Sequence, residues 1–500
     1  MDDGLGVPGP TAFAETHSAI VVFVGDRAYK MKKPVDLGFL DFSTRAARER
    51  ACHHEVDLNR RLAPDVYVGV ADVVGPDGEV CDHLVVMHRM PDDRRLTSLL
   101  AQGETAWGCL RAVARQVAAL HAAAPTSSGD PAIAQVATRD AVAGNWADNF
   151  DTIHPFVDEV VPREEFRRVH RLATRFLAGR ERLFADRIAR GMVRDGHGDL
   201  LAEDIFCLDD GPRVLDCLDF ADRYRYGDVL LDAAFLAMDL ERLGHPAAAE
   251  QFLAWYAEFS GEHHPDGLAE HYIAYRAHVR AKVACLRYAQ GDAAMAEEAR
   301  GLHRLVLDHL RRGRVALALV GGLPGTGKST VASGLSDTLG WALLRTDEIR
   351  KDLAGLGHDV AAPEAVDEGL YHPERVAEVY RETLARAQGL LEWGVPVIVD
   401  ASWSSAADRR AAAELAEATS STLVQVRCET SLDVARARLA ARPPGGDASD
   451  ATVEVLDALA GRADPWPQAA VVRTDVPIDR VLATARAAVM RQLDLAEAEQ

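Results

Sequence analysis

The spacing of apolar positions changes twice along the chain. Up to about residue 86 apolar residues recur in short alternating runs: 20–24, a turn at Gly25-Asp26 and 28–32 predict a hairpin, and 66–74 with 80–87 predict further strands. Residues 45–62 between them have helical spacing and heavy charge, so a small sheet with one helix against it is expected. From 96 to about 310 the spacing is helical almost throughout, with Ala-rich stretches at 106–123, 163–190 and 271–290 interrupted by the segment 192–220. Beyond the basic hinge Arg311-Arg312-Gly313-Arg314, apolar runs at 315–320, 341–344, 395–400 and 422–428 alternate with helical stretches, as buried parallel strands do. The expected fold class is an α+β unit at 1–310, with a strand-rich lobe at 1–90 and a helical lobe at 91–310, followed by an α/β unit with a parallel sheet at 311–500.

The sharpest local signal is Gly322-Leu323-Pro324-Gly325-Thr326-Gly327-Lys328-Ser329, directly after the run 315–320 and before a helical pattern that opens at Thr330. A strand, a glycine loop and a helix in this order turn backbone N–H groups around a polyphosphate, with Lys328 on the outer phosphates and Ser329 on Mg2+. Gly322, Gly325, Thr326, Gly327, Lys328, Ser329 and Thr330 are the nucleotide-binding set so predicted. Ligands collect at the C-terminal ends of parallel strands, which sets Asp347 and Arg350 opposite the phosphates. Asp347 is expected to accept the proton of an attacking hydroxyl and Arg350 to hold the acceptor; a capping aspartate with an arginine one turn on is the plain structural alternative. Asp400 ends the run 395–400 where a Mg2+-contacting carboxylate is expected. Arg438 and Arg442, four apart on one helix face, are placed either as a lid over the transferring phosphate or as a solvated face.

Within the helical half, His197-Gly198-Asp199-Leu200 is followed by Asp204 and then by Val214-Leu215-Asp216-Cys217-Leu218-Asp219-Phe220. Carboxylates on two short strands suit Mg2+ and a base that deprotonates a hydroxyl. Together with the two lobes, this loop and strand resemble the aminoglycoside phosphotransferase and choline kinase branch of the protein-kinase-like fold. The resemblance implies Asp199 as the base and Asp204 and Asp216 as metal ligands, with Asp204 standing where that family has Asn. It also implies a lysine on the α and β phosphates and a glutamate that holds it. Lys30 and Lys32 share one strand face and both remain candidates; Glu55 is the expected partner, with Glu49 the alternative. The glycine motif G-x-G-x-x-G is missing from the first lobe. Asp219 is either a further site carboxylate or a solvated one, and His197 is expected to brace the loop. Asp228 either caps its helix, the favoured reading, or braces that loop, while Asn145, Trp146 and Asn149 are expected in a loop-like region that contacts substrate or ties the lobes. Arg276, Arg280 and Arg287 fall on one helix face, as a pocket for an anionic acceptor or as a solvent-facing stripe.

The C-terminal unit resembles the P-loop small-molecule and polynucleotide kinases, including gluconate kinase-like and zeta-toxin-like proteins. The order of the two units resembles the bacterial family described as bifunctional aminoglycoside phosphotransferase/ATP-binding proteins. A net charge of −21 argues against a protein that coats nucleic acid or an anionic membrane, and so against a nucleic-acid end kinase. Seven scattered cysteines without a C-x-x-C pair suggest free thiols in a reducing compartment and no zinc site. No secretory signal is read at the start, and no apolar run reaches the roughly 18 residues that span a bilayer. A cytoplasmic protein is expected. The leading expectation is an ATP- and Mg2+-dependent phosphotransferase with two nucleotide sites, acting on a small hydroxylated metabolite, with no oligomeric state implied. The alternative, motivated by Asp204 and by the missing glycine motif, makes the first unit a non-catalytic binding or regulatory module that controls a P-loop kinase.

Overall fold

The computed structural model describes residues 12–15, 18–36, 40–103, 106–357, 372–441 and 451–499. The chain forms two compact units. The first contains Met1–Phe156, Phe184–His264 and Tyr272–Val306; the second contains Leu307–Gln500 and also takes Val157–Leu183 and Pro265–His271.

In the first unit, β1 (Ala12–Glu15), β2 (Ala19–Val24), β3 (Arg27–Lys32), β4 (Tyr67–Val74) and β5 (Val80–His88) form an antiparallel sheet in the order β1-β2-β3-β5-β4. Thr44 caps the helix Arg45–Asn59 by accepting from the Ala47 N–H. That helix lays Cys52 and Val56 on Ala28, Val85 and Met87, which explains why alternate strand positions are apolar. The helical part carries two small antiparallel ladders, β6 (Val193–Asp195) with β9 (Tyr226–Asp228) and β7 (Ile205–Leu208) with β8 (Gly211–Val214). This is the α+β architecture, a strand-rich part followed by a helical part, that the sequence predicts.

The second unit is built on a parallel sheet, order β11-β12-β10-β13-β14, from β10 (Ala316–Gly321), β11 (Ala342–Arg345), β12 (Val397–Asp400), β13 (Thr422–Glu429) and β14 (Ala470–Arg473). β10 is buried along its whole length, which is why its sequence is continuously apolar and does not alternate. Val331 and Leu335 cover it together with Val481 and Val489 of the C-terminal helix.

Several local expectations are corrected. The stretch 163–190 is two helices, Arg163–Ala178 and Glu181–Ala189, separated at Gly179-Arg180. Asn145, Trp146 and Asn149 lie on the helix Arg139–Ile153, where buried Trp146 stacks on Phe150 and His278 and Asn149 accepts from Lys282 at 2.6 Å. Cys109 and Cys207 form a disulfide, so the expectation of seven free thiols fails for this pair. The two lie 98 residues apart in sequence and meet because the helix Trp107–Ala123 packs on the β7–β8 hairpin. No helix among the described residues is long and apolar enough to cross a membrane.

Candidate active sites

Strand alternation sends Lys30 and Lys32 to the sheet face that carries Ala28, under the helix Arg45–Asn59. Glu55 of that helix is fully buried and takes both lysines, Lys30 Nζ at 2.8 Å and Lys32 Nζ at 2.6 Å. Each ammonium has a second partner on the segment after β8: Lys30 lies 2.7 Å from Asp216, and Lys32 pairs with Asp219. The two lysines therefore share the glutamate and differ in what they hold beyond it. Burial works against the Glu55 charge, but Lys30 and Lys32 outweigh it and keep its carboxyl below the usual range. Glu49 stands apart, 3.7 Å from His83.

Asp216 adopts φ +59°, a left-handed conformation rare for a residue with a side chain. Its neighbours fix it: the Cys217 N–H donates to Asn59 Oδ1 at 2.8 Å, and the Asp216 N–H donates to the Tyr67 hydroxyl at 3.3 Å. Burial pushes the Asp199 carboxyl up to about 6 against the pull of Arg280, while Asp216 adds to the rise. Burial also raises the Asp204 carboxyl well above its ordinary value, with Asp216, Glu203 and Asp199 adding to the rise. Carboxylates that crowd one another in this way fit a cation placed among them. No group of three or more His, Cys, Asp or Glu among the described residues forms a ready-made ion cage. Mg2+ suits such a site, since it commonly takes one or two carboxylates and completes its shell with phosphate and water.

The loop that presents Asp199 is held by Asp232, a residue the sequence reading passed over. Its carboxylate accepts from the His197 N–H at 2.7 Å, the Gly198 N–H at 2.8 Å and His121 Nε2 at 3.0 Å. His121 in turn meets the Tyr256 hydroxyl at 2.9 Å. The available signal was position: Asp232 lies one turn beyond Asp228 inside the apolar first half of the helix Val229–Arg242, where a carboxylate needs a partner. Asp228 itself caps that helix through the Leu230 N–H at 2.9 Å and binds Arg187 at 2.7 Å. His197 braces the loop as expected, with Nε2 3.0 Å from the Leu215 carbonyl and Nδ1 accepting from the Asp199 N–H. Burial lowers its pKa, which matches a neutral ring with one donor and one acceptor.

The arginine stripe divides. Arg276 is buried, donates Nε to the Leu231 carbonyl at 3.1 Å and lies 4.4 Å from the Phe235 ring centre. Arg287 pairs with Asp292 on the surface. Arg280 is half-buried, with neither a hydrogen bond nor an ion pair among the described residues.

In the second unit the glycines are required by shape. Gly325 and Gly327 have φ of +77° and +82°, and a Cβ on Gly325 would fall 2.6 Å from the Ala435 carbonyl oxygen. On Gly322 it would fall 2.6 Å from the Cys428 carbonyl oxygen. The helix Lys328–Leu339 starts immediately after Gly327, so its free N–H groups open onto the loop. Thr326 closes the turn through its hydroxyl to the Leu323 carbonyl at 2.7 Å, and its own carbonyl accepts from the Thr474 hydroxyl at 2.6 Å. Asp400 ends β12 beside β10. Burial raises its carboxyl pKa, though Lys328 and the Ser329 hydroxyl pull it down, and its Oδ1 is buried without a hydrogen-bond partner. An orphaned carboxylate oxygen next to the Ser329 hydroxyl fits Mg2+.

Asp347 and Arg350 pair at 2.5 Å on the helix Thr346–Ala354, whose cap position falls to Arg345; Asp347 is therefore not a capping residue. Both line a cavity of about 450 Å3 with Lys328, Tyr380, Ser402 and Asp408. Arg438 lies on a separate cavity of about 390 Å3 with Gly327, Lys328, Ser329 and Thr474, where it donates to the Thr474 carbonyl at 2.7 Å. That contact holds it to the wall of the nucleotide loop. Arg442 lies outside the described residues.

Residues 317–466 match the family model described as AAA domain. Uncharacterized protein Rv2004c of Mycobacterium tuberculosis (strain ATCC 25618 / H37Rv) and uncharacterized protein Mb2027c of Mycobacterium bovis (strain ATCC BAA-935 / AF2122/97) are each 43% identical to this chain over 466 residues, 93% of it and 93% of them. The chain belongs to their family. Among solved structures it is similar to a gluconokinase from Sinorhizobium meliloti 1021, at 19% identity over 38% of this chain and 99% of that one, with a TM-score of 0.27. It is also similar to a choline/ethanolamine kinase family protein from Mesorhizobium loti, at 14% identity over 61% and 94%, TM-score 0.38. The GDP complex of wild-type aminoglycoside 2'-phosphotransferase-IIIa gives 14% identity over 61% and 94%, TM-score 0.36.

Proposed function

We propose that this chain is an ATP- and Mg2+-dependent phosphotransferase with two nucleotide sites, each passing the γ-phosphate to a hydroxyl group of a small metabolite. The observation that carries the reading is a lysine set among carboxylates in each unit. Lys30 is ion-paired with Glu55 and Asp216, and in the second unit the charge of Lys328 acts on the Asp400 carboxyl from another part of the chain. In the second unit Lys328 and the loop N–H groups bind the phosphates, Ser329 and Asp400 would hold Mg2+, and Asp347 takes the acceptor proton beside Arg350. In the first, Lys30 binds the α and β phosphates, Asp204 and Asp216 would hold Mg2+, and Asp199 takes the proton. Bound Mg2+ neutralises charge on the phosphate oxygens as the phosphoryl group moves. The order of the units supports membership among the bifunctional aminoglycoside phosphotransferase-like/P-loop proteins, with no drug substrate implied.

A second reading, in which the first unit binds nucleotide and regulates the P-loop unit without catalysis, is favoured by Asp204. A carboxylate there adds charge to an already crowded site. Single Asp199→Ala and Lys328→Ala variants, assayed with labelled ATP against a metabolite panel, separate the two. Loss of one class of product in each variant supports two active sites. Full transfer by Asp199→Ala supports the regulatory reading, and transfer by neither the wild type nor any variant refutes both.

A further inference from the structure

Arg276 and Arg280 stand one turn apart on the helix Asp266–Ala289. Arg276 is tied to Leu231, the residue before the Asp232 that grips the catalytic loop, so its position is fixed relative to Asp199. Only its Nε is engaged among the described residues, which leaves both Nη groups with hydrogens to donate. Arg280 has no bonded partner there at all. Asp232, whose charge also acts on Arg276, is already taken by His121 and two loop N–H groups. Nearby Lys282 is held by Asn149. The P-loop unit differs: its Arg350 is neutralised by Asp347 at 2.5 Å.

Two guanidinium groups with open forks beside a base are suited to a planar or tetrahedral oxyanion. We infer that the acceptor of the first unit carries an anionic group, a carboxylate or a phosphate, which the Nη groups of Arg276 and Arg280 hold while its hydroxyl faces Asp199. This rests on the phosphotransfer proposed above. In that step the acceptor hydroxyl gives its proton to Asp199 and its oxygen bonds to the γ-phosphorus. The bond from that phosphorus to the bridging oxygen breaks, and ADP leaves with the electron pair. The pull of both arginines on the Asp199 carboxyl agrees with their facing the reacting centre.

The test uses the full-length chain with Lys328→Ala to silence the P-loop unit, adding Arg280→Gln or Arg280→Lys. Acceptors are hydroxycarboxylates, sugar phosphates, neutral polyols and amino alcohols; whether carboxylates or phosphates respond identifies the oxyanion. Losing a charge-assisted pair should raise KM for the anionic acceptor by about ten- to one-hundred-fold in Arg280→Gln, with kcat and the KM for ATP held and partial recovery in Arg280→Lys. Because Arg280 has no bonded partner to lose, the thermal midpoint should stay put. Phosphorylation confined to neutral or cationic acceptors overturns the inference and leaves phosphotransfer standing. A fall in kcat at unchanged KM also overturns it, since the arginine would then serve the transferring phosphoryl group. No transfer to any acceptor overturns the phosphotransfer reading as well.

Discussion

Asp232→Ala removes the acceptor for two backbone N–H groups of the loop that presents Asp199 and for His121. Asp232, His121 and His197 are 5%, 3% and 0% exposed, so water cannot take over those bonds without local opening. A buried donor left unpaired costs about 1–3 kcal/mol, and losing one partner of a buried charged cluster about 3–5 kcal/mol. We expect the loop to lose about 3–5 kcal/mol of local stability, with Asp232→Asn losing about 2–3 because it keeps one oxygen but turns an N–H2 toward a donor. The carboxyl is held below its ordinary value by His121 and His197, despite a burial that works the other way. Its stabilisation is thus complete above the unfolded pKa of about 3.9 and fades as pH falls through the lower folded value, so pH 7 measures all of it. Hydrogen exchange of the full-length chain reads the loop directly and avoids a single unfolding midpoint, which two units would blur. Peptides covering 193–204 and 229–242 should exchange roughly 150- to 5,000-fold faster, while those covering 316–339 remain unchanged. Exchange at His197 and Gly198 within about threefold of the wild type, well under 1 kcal/mol, would refute the brace.

Gly325→Ala should destabilise the second unit and abolish its nucleotide binding, because its Cβ meets the Ala435 carbonyl. Gly327→Ala meets nothing closer than 3.6 Å and should cost only about 1–2 kcal/mol for its left-handed backbone, so equal melting shifts would contradict the geometry. With Lys328→Ala in place, kcat/KM of the first unit should rise with pH through about 6, the pKa to which burial pushes Asp199, because the base must lose its proton; a flat profile from pH 5 to 8 would count against that role. Cys109→Ser with Cys207→Ser should lower the unfolding free energy under non-reducing conditions by about 2–4 kcal/mol and abolish the midpoint shift that reductant causes in the wild type. Chelating Mg2+ should remove nucleotide binding from the first unit and only weaken it at the P-loop, as calorimetry on the Lys328→Ala and Asp216→Ala variants would resolve.

The glycine loop was legible because its information is local: three glycines, a lysine and a serine at fixed offsets between an apolar run and a helix. The same holds for Asp199 and Asp216, which sit in one short hairpin region. Choosing between Lys30 and Lys32 was not open to sequence. Period-2 alternation puts both on one face, and the distinction lies in whether Asp216 or Asp219 arrives as the second partner. Asp232 was missed because a carboxylate in an apolar helix reads as an exception until the loop it grips is in place. The disulfide was hidden for a related reason, since 98 intervening residues carry no trace of the packing that closes them. Arg438 lines the cavity at the nucleotide loop, and its bond to the Thr474 carbonyl is a tertiary contact that a four-residue spacing does not foresee.

On the proposed function, the two candidate sites meet the charge of a triphosphate by different means, and that difference sets the dependence on metal expected of each. The P-loop presents backbone N–H dipoles at a helix start plus Lys328, groups that attract phosphate unaided. In the first unit Lys30 and Lys32 are already balanced by Glu55, Asp216 and Asp219, three carboxylates against two ammonium groups, with Asp199 and Asp204 adjoining. Such a cluster repels a bare triphosphate. For the nucleotide to enter, Lys30 must exchange Asp216 for phosphate oxygens, and Asp216 must then find another cation. A divalent ion arriving with the nucleotide supplies that cation in the same event, so metal and nucleotide should bind there as one ligand. Metal-free nucleotide bound as tightly at the first unit as at the P-loop would mean that the Lys30–Asp216 contact does not gate entry.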